Sequence, residues 1–61
     1  MTPKEKVEIT ANIRLVSDQE LAQYFEKVLD ELLSDPHDFD LKYLKDKIQA
    51  EIVNRWLYEQ R

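Results

Sequence analysis

The chain has 61 residues, a net charge of −4, 43% hydrophobic and 36% charged residues, and neither cysteine nor glycine. A chain of this length can bury one small core, and the lack of cysteine excludes disulfides and thiolate zinc sites. The sequence shows no secretory signal and no apolar run long enough to span a membrane. We therefore expect a single small domain, residues 1–61, that is cytoplasmic and does not associate with membranes.

The N-terminal segment alternates apolar and polar residues from about 6 to 15, with the apolar positions at Val7, Ile9, Ala11, Ile13 and Leu15. This period of two, rich in β-branched side chains, predicts a half-buried strand. A competing signal lies just upstream. Thr2 and Glu5 are spaced as a capping box, with Pro3 at the first helical position. The alternation favours a strand, and a helix remains the open alternative.

A helix is predicted next, over about residues 18–33. Ser17 and Glu20 form a second capping box at its start, which is a signature of a helix N-terminus. Apolar residues then recur every three or four positions, as on one face of a helix: Leu21, Phe25, Val28 and Leu32.

The segment from Ser34 to Asp40 is predicted to be a turn, because Pro36 disfavours helical conformation at the residue before it. A further helix is predicted over about residues 38–59. Its apolar face is formed by Leu41, Leu44, Ile48, Ile52 and Trp56. Only a short turn connects the two helices, so we expect an antiparallel hairpin.

The predicted fold is therefore mainly α, with an N-terminal strand at about 6–15 followed by a helical hairpin. A lone strand has an unpaired edge that a second copy can complete, so this fold predicts a homodimer joined through a shared two-stranded ribbon. The alternative is an all-α protein, either a three-helix domain or a helical hairpin. The secondary structure of residues 6–15 separates the two.

The strand version resembles the ribbon-helix-helix family of small dimeric repressors. The resemblance rests on the polar positions between the apolar strand residues, on the capped helix that begins at Ser17, and on the spacing of Ile48, Ile52 and Trp56. It implies a transcriptional repressor or an antitoxin-like protein in which the paired ribbon enters the DNA major groove. The candidate DNA-binding residues are Lys6, Thr10, Asn12 and Arg14.

The turn between the helices departs from that family. It carries Asp35, Asp38 and Asp40 where the family has groups that grip a phosphate, and three carboxylates there would repel a DNA backbone. The same residues suit an acidic surface that binds a protein.

The helical hairpin also resembles the Sda type of sporulation checkpoint inhibitor, through the Ser17-Asp18 and Tyr24-Phe25 pairs and part of the last helix: Ile48, Glu51, Ile52, Arg55 and Leu57. This resemblance implies a small acidic protein that binds and inhibits a target protein. The candidate interface residues on this alternative are Tyr24, Tyr58, Asp35, Asp38 and Asp40, since tyrosine is common at interfaces.

No catalytic or cofactor motif is expected to function here. His37 is the only histidine and lies in the predicted turn, so a metal site would need aspartates beside it. A chain this small also offers little room for a substrate pocket. We therefore expect a protein that is not an enzyme, holds no cofactor or metal, takes no small-molecule substrate, and binds DNA or another protein.

Overall fold

The computed structural model describes residues 1–59, which form three helices: α1 Pro3–Asn12, α2 Asp18–Ser34 and α3 Phe39–Glu59. There is no strand within this described range. The predicted strand at about 6–15 is therefore wrong, and so is a dimer that depends on it. The all-α three-helix alternative fits the structure.

The N-terminal capping signal prevails over the alternation in α1. The Thr2 hydroxyl accepts a hydrogen bond from the Glu5 backbone N–H at 3.2 Å, and Pro3 occupies the first helical position, where its missing N–H costs nothing. A helix pairs its backbone groups internally, whereas a lone strand in this chain would have no mate. Ile9 is buried and Ile13 half-buried, but Val7 is 67% exposed, so only part of the alternating set faces the core.

The second helix begins where the sequence predicts. The Ser17 hydroxyl accepts a hydrogen bond from the Glu20 backbone N–H at 3.2 Å, and α2 starts at the next residue, Asp18. It ends at Ser34, one residue beyond the predicted end. The N-cap at Ser17 and the spacing of the apolar residues are thus both confirmed.

The connection from α2 to α3 is made without glycine, and no residue in the range 1–59 has a positive φ. Asp35 follows the last residue of α2 with φ −140° and ψ 79°, and its N–H donates to the Glu31 carbonyl at 2.9 Å. The Asp38 N–H donates in turn to the Asp35 carbonyl at 3.3 Å. Aspartate suits this tight turn because its carboxylate bonds to nearby backbone groups.

The core lies where α3 packs against both α1 and α2. Leu44 and Ile48 are buried as predicted, and Phe25 is half-buried against the same cluster. The buried side chains are Ile9, Leu21, Val28, Leu41, Leu44 and Ile48.

Trp56 does not join this core and is 56% exposed, although the sequence places it on the apolar face of the last helix. The reason is the helical period of about 3.6 residues per turn, so that two turns correspond to about seven residues. Seven residues beyond Ile48 is Arg55, which is half-buried. Trp56 is rotated by about 80° from the direction of Ile48 and lies at the edge of the helix pair.

Candidate protein-binding surface

The four residues predicted to contact DNA do not share one polar face. Lys6 lies inside an ion-pair cluster, with its Nζ 3.3 Å from an Asp38 oxygen and 3.5 Å from an Asp40 oxygen. The Thr10 hydroxyl donates to the Lys6 carbonyl at 2.9 Å, one turn earlier in α1. Asn12 ends α1, and Arg14 is exposed in the turn that follows. Lys6 and Thr10 lie one turn apart on the same side of α1, Asn12 lies on another side, and Arg14 is beyond the helix, so the four do not form the reading edge of a ribbon.

The acidic turn has a structural role in this fold. One Asp38 oxygen accepts hydrogen bonds from the backbone N–H groups of Asp40, at 2.9 Å, and Leu41, at 3.3 Å. Asp38 thus caps the start of α3 while its other oxygen binds Lys6. Burial opposes ionisation of this carboxylate, but the Leu41 hydrogen bond and Lys6 outweigh it and lower the pKa of Asp38 below its ordinary value. Of the three predicted aspartates, only Asp35 lies away from this cluster.

Two more contacts fasten α1 and the N-terminus to α2. The Lys27 Nζ lies 2.9 Å from a Glu5 oxygen, and the hydrogen bond and charge of Lys27 lower the pKa of Glu5. The Met1 ammonium group lies 3.1 Å from a Glu31 oxygen. These pairs, with Lys6 and Asp38, fix α1 on the hairpin by contacts that span 22 to 32 positions of the chain.

Arg55 fastens the other end of the molecule. Its Nη1 lies 2.7 Å from an Asp18 oxygen and its Nε 3.2 Å from a Glu51 oxygen. Its Nη2 donates to the carbonyls of Ile13, at 3.3 Å, and Val16, at 2.8 Å. One guanidinium group therefore joins α3, the start of α2 and the turn that connects α1 to α2, which uses the forked geometry that distinguishes arginine from lysine.

Large exposed apolar side chains flank Arg55. Trp56 and Tyr58 lie on opposite sides of it on α3, and Leu15 lies in the turn whose carbonyls Arg55 binds. We call this surface the aromatic end and define it as Leu15, Trp56 and Tyr58, which are 82%, 56% and 79% exposed. Trp56 borders a recess of about 160 Å³ beside Arg55, and Tyr58 borders a broader one of about 720 Å³ that Arg14 also lines. The aromatic end is thus an apolar surface on a braced scaffold, next to open concave space.

Tyr24 and Tyr58, the two tyrosines predicted for an interface, lie in different environments. Tyr24 is half-buried and packs against the core, where it lines a recess of about 120 Å³ between α1 and α2 with Ile9. Tyr58 projects into solvent at the aromatic end. Tyr58 therefore belongs to the aromatic end, and Tyr24 does not.

Sequence reasoning placed Trp56 and Leu15 on buried faces, and it gave Arg55 no structural role. A signal for Arg55 was present, since Leu41, Ile48 and Arg55 follow one another at intervals of seven and so share one helix face. The exposure of Leu15 was hidden because the alternation placed it on the buried face of a strand.

Among residues 1–58, no group of three His, Cys, Asp or Glu side chains is arranged to hold a metal ion. The described part of the chain also contains no helix that is long and apolar enough to cross a membrane. Ser17 caps α2, and His37 is exposed in the turn before α3. The ion-paired and capping side chains described above therefore stabilise the fold.

Comparison of the chain with family models, with curated proteins and with solved structures gives no match.

Proposed function

We propose that this protein is a small, non-enzymatic regulator that binds and inhibits another protein, and that the aromatic end is its binding surface. The observation that carries the proposal is the exposure of three large apolar side chains, Leu15, Trp56 and Tyr58, on the segments that Arg55 joins. Tryptophan and tyrosine are enriched among the residues that contribute most of the binding energy at protein interfaces.

The expected binding free energy of such a contact follows from the apolar area that it buries. Burying the exposed parts of Trp56 and Tyr58 removes roughly 270 Å² of side chain from water, which contributes on the order of 7 kcal/mol before losses. Association itself costs about 4 to 15 kcal/mol in lost freedom. The two aromatics therefore support a complex only with further contacts, and Leu15 and the neighbouring concave surface are placed to supply them.

The partner that suits this surface is a protein segment with apolar side chains that fill the recesses on either side of Arg55. Asp18 and Glu51 compensate the charge of the Arg55 guanidinium. An apolar partner that covers this group therefore does not bury an unpaired charge. A location in the cytoplasm remains part of the proposal, and the absence of cysteine supports it.

The test is photocrosslinking in cells that naturally express the protein, with a photoreactive phenylalanine analogue at position 58. A matched control carries the analogue at Gln23, which is exposed on α2. We expect one discrete protein adduct at position 58, none at position 23, and loss of the adduct when Trp56→Ala is added. Val7→Ala removes exposed apolar surface elsewhere and should leave the adduct intact.

Equal adducts at positions 58 and 23, or an adduct that survives Trp56→Ala, would contradict the proposal. A selection from random DNA duplexes at physiological salt gives a second readout. We expect no enriched sequence, and a sequence bound with specific affinity would overturn the protein-binding function in favour of DNA recognition.

A further inference from the structure

The third helix has a second apolar stripe on the side opposite its buried residues. At one edge of the stripe, Tyr43 also borders a groove between α1 and α3. Its apolar members are Phe39, Tyr43, Ala50, Val53 and Leu57, which we call the outer stripe. Phe39 is 82% exposed, Tyr43 56%, Val53 46% and Leu57 52%. Together with Asp46, these positions alternate in steps of four and three residues over about five turns. Such spacing is the pattern of a coiled-coil seam.

We infer that the outer stripe is the contact between two copies of this chain, which form an antiparallel homodimer through α3. The inference is independent of the proposed function, because Leu15, Trp56 and Tyr58 do not belong to the stripe. It is also a different dimer from the predicted ribbon, because it needs no strand.

The order of residues along the stripe makes it complementary to itself when the second copy runs in the opposite direction. An antiparallel pairing centred near Ile48 places Phe39 opposite Leu57 and Tyr43 opposite Val53 in both halves of the contact. Asp46 then lies opposite Ala50, the smallest residue of the stripe. In each pair of facing residues, a large side chain thus meets another large one, or the charged Asp46 meets the small Ala50. The same pairs recur in both halves of the contact, as two-fold symmetry requires.

The position of Asp46 disfavours the parallel alternative. A parallel pair would bring Asp46 directly against its own copy inside the seam, and facing like charges destabilise an interface. The antiparallel pair separates the two carboxylates by four residues, about 6 Å along the axis. Within one chain the carboxylate of Asp46 already leans aside, with an oxygen 3.9 Å from the Nζ of Lys45.

The flanks of the stripe suit the rim of an interface. The Lys42 Nζ lies 5.7 Å from the centre of the Phe39 ring, and the Lys47 Nζ lies 5.5 Å from the centre of the Tyr43 ring. Lysine stems cover apolar surface while their charges stay in water, so both residues can remain at the edge of the contact.

The area available is that of a weak but specific dimer. The exposed parts of Phe39 and Tyr43 amount to about 280 Å² per copy. The remaining stripe residues and the flanking lysine stems bring the two-copy total near 1,000 to 1,200 Å², where specific interfaces begin. We therefore expect dissociation on the order of 10 to 100 µM, and a mixture of monomer and dimer near that concentration.

Sedimentation equilibrium from about 1 to 500 µM tests the dimer, starting from a monomer of 7.4 kDa. We expect Val53→Asp to weaken self-association at least tenfold and Asp46→Leu to strengthen it about tenfold. Gln23→Asp on α2 adds the same charge as Val53→Asp outside the stripe and should change nothing. Circular dichroism confirms that each variant is folded. A wild-type chain that is monomeric throughout, or a Gln23→Asp effect equal to that of Val53→Asp, would overturn the inference.

The direction of the pair is tested with pyrene attached to single cysteines, which the natural cysteine-free chain permits. Antiparallel packing places the two copies of position 47 about 3 Å apart along the axis and those of position 54 about 18 Å apart. Lys47→Cys should therefore give excimer emission in the dimer and Asn54→Cys should not. Excimer emission from both positions would show a parallel pair and contradict the antiparallel arrangement.

Discussion

Single residues in this protein take their roles from partners that are distant in the chain. From the sequence, Lys6 is predicted to be a basic group that can bind a phosphate. In the fold its charge is compensated by Asp38, which lies 32 positions away in the chain. Asp38 caps α3, as an aspartate in this turn is expected to do, but its second oxygen binds Lys6. No local pattern contains this pair, so sequence reasoning could find the residues but not their role.

The Asp38 cluster predicts a loss of stability in acid. Because the pKa of Asp38 is lowered in the folded state, its contribution is present above the ordinary aspartate value of about 4 and disappears as the pH falls through the folded pKa. Glu5 shifts in the same direction because of Lys27. Urea unfolding of the wild type and of Asp38→Asn should differ clearly at pH 6, and the difference should shrink below pH 4. A difference that is constant with pH would contradict the role given to this carboxylate.

Arg55 should matter for folding and Arg14 should not. Arg55→Gln leaves the carbonyls of Ile13 and Val16 without their donor and removes the bond to Asp18, so the melting temperature should fall by several degrees. Arg14→Gln makes the same chemical change at an exposed position of the adjoining turn, and it should change the melting temperature little. Equal shifts in the two variants would show that the Arg55 contacts do not brace the aromatic end.

At the level of elements, the two long helices could be predicted and the first could not. The α2 boundaries followed from a cap and a regular apolar repeat, both of which are local signals. In α1 two local signals conflicted. The helix that formed is capped at Thr2 and is held on the hairpin by contacts of Glu5, Lys6 and Ile9. Alternation over ten residues predicts a strand only when another strand is available to pair with it.

Thr10→Ala gives a test in which helix and strand predict opposite signs. Thr10 is exposed on α1, where alanine is the better helix former, so the free energy of unfolding should rise by about 0.5 kcal/mol. In a strand the same change would lower it, because threonine is the better strand former. Thr2→Ala removes the cap and should lower the free energy of unfolding by about 1 kcal/mol in the same urea titrations.

At the level of the whole molecule, α3 serves as the centre to which the other helices are attached. Its inner face contributes Leu41, Leu44 and Ile48 to the core, while its outer side keeps large apolar residues in solvent. The inner face could be predicted from its spacing. The aromatic end could not be predicted in this way. Several positions of α3 are apolar, and the sequence does not show which of them α1 and α2 leave exposed.

Truncation of the central core residue should nearly unfold the chain. Ile48 is fully buried, and Ile48→Ala should lower the free energy of unfolding by about 2 to 5 kcal/mol, a large part of the stability of a domain this small. Gln49→Ala, the next residue and an exposed one, should lie within about 0.5 kcal/mol of the wild type. Thermal unfolding followed by circular dichroism measures both, and similar midpoints would mean that α3 is rotated from the described packing.

Backbone chemical shifts of residues 3–12 in solution test most directly that the chain is a three-helix protein and not a ribbon. If α1 is a helix, the Cα shifts from Pro3 to Asn12 are displaced downfield from random-coil values in one unbroken run, and amide contacts link consecutive residues. An unbroken run of upfield Cα shifts over residues 6–12, with contacts to a second copy, would contradict the fold and the protein-binding function proposed from it.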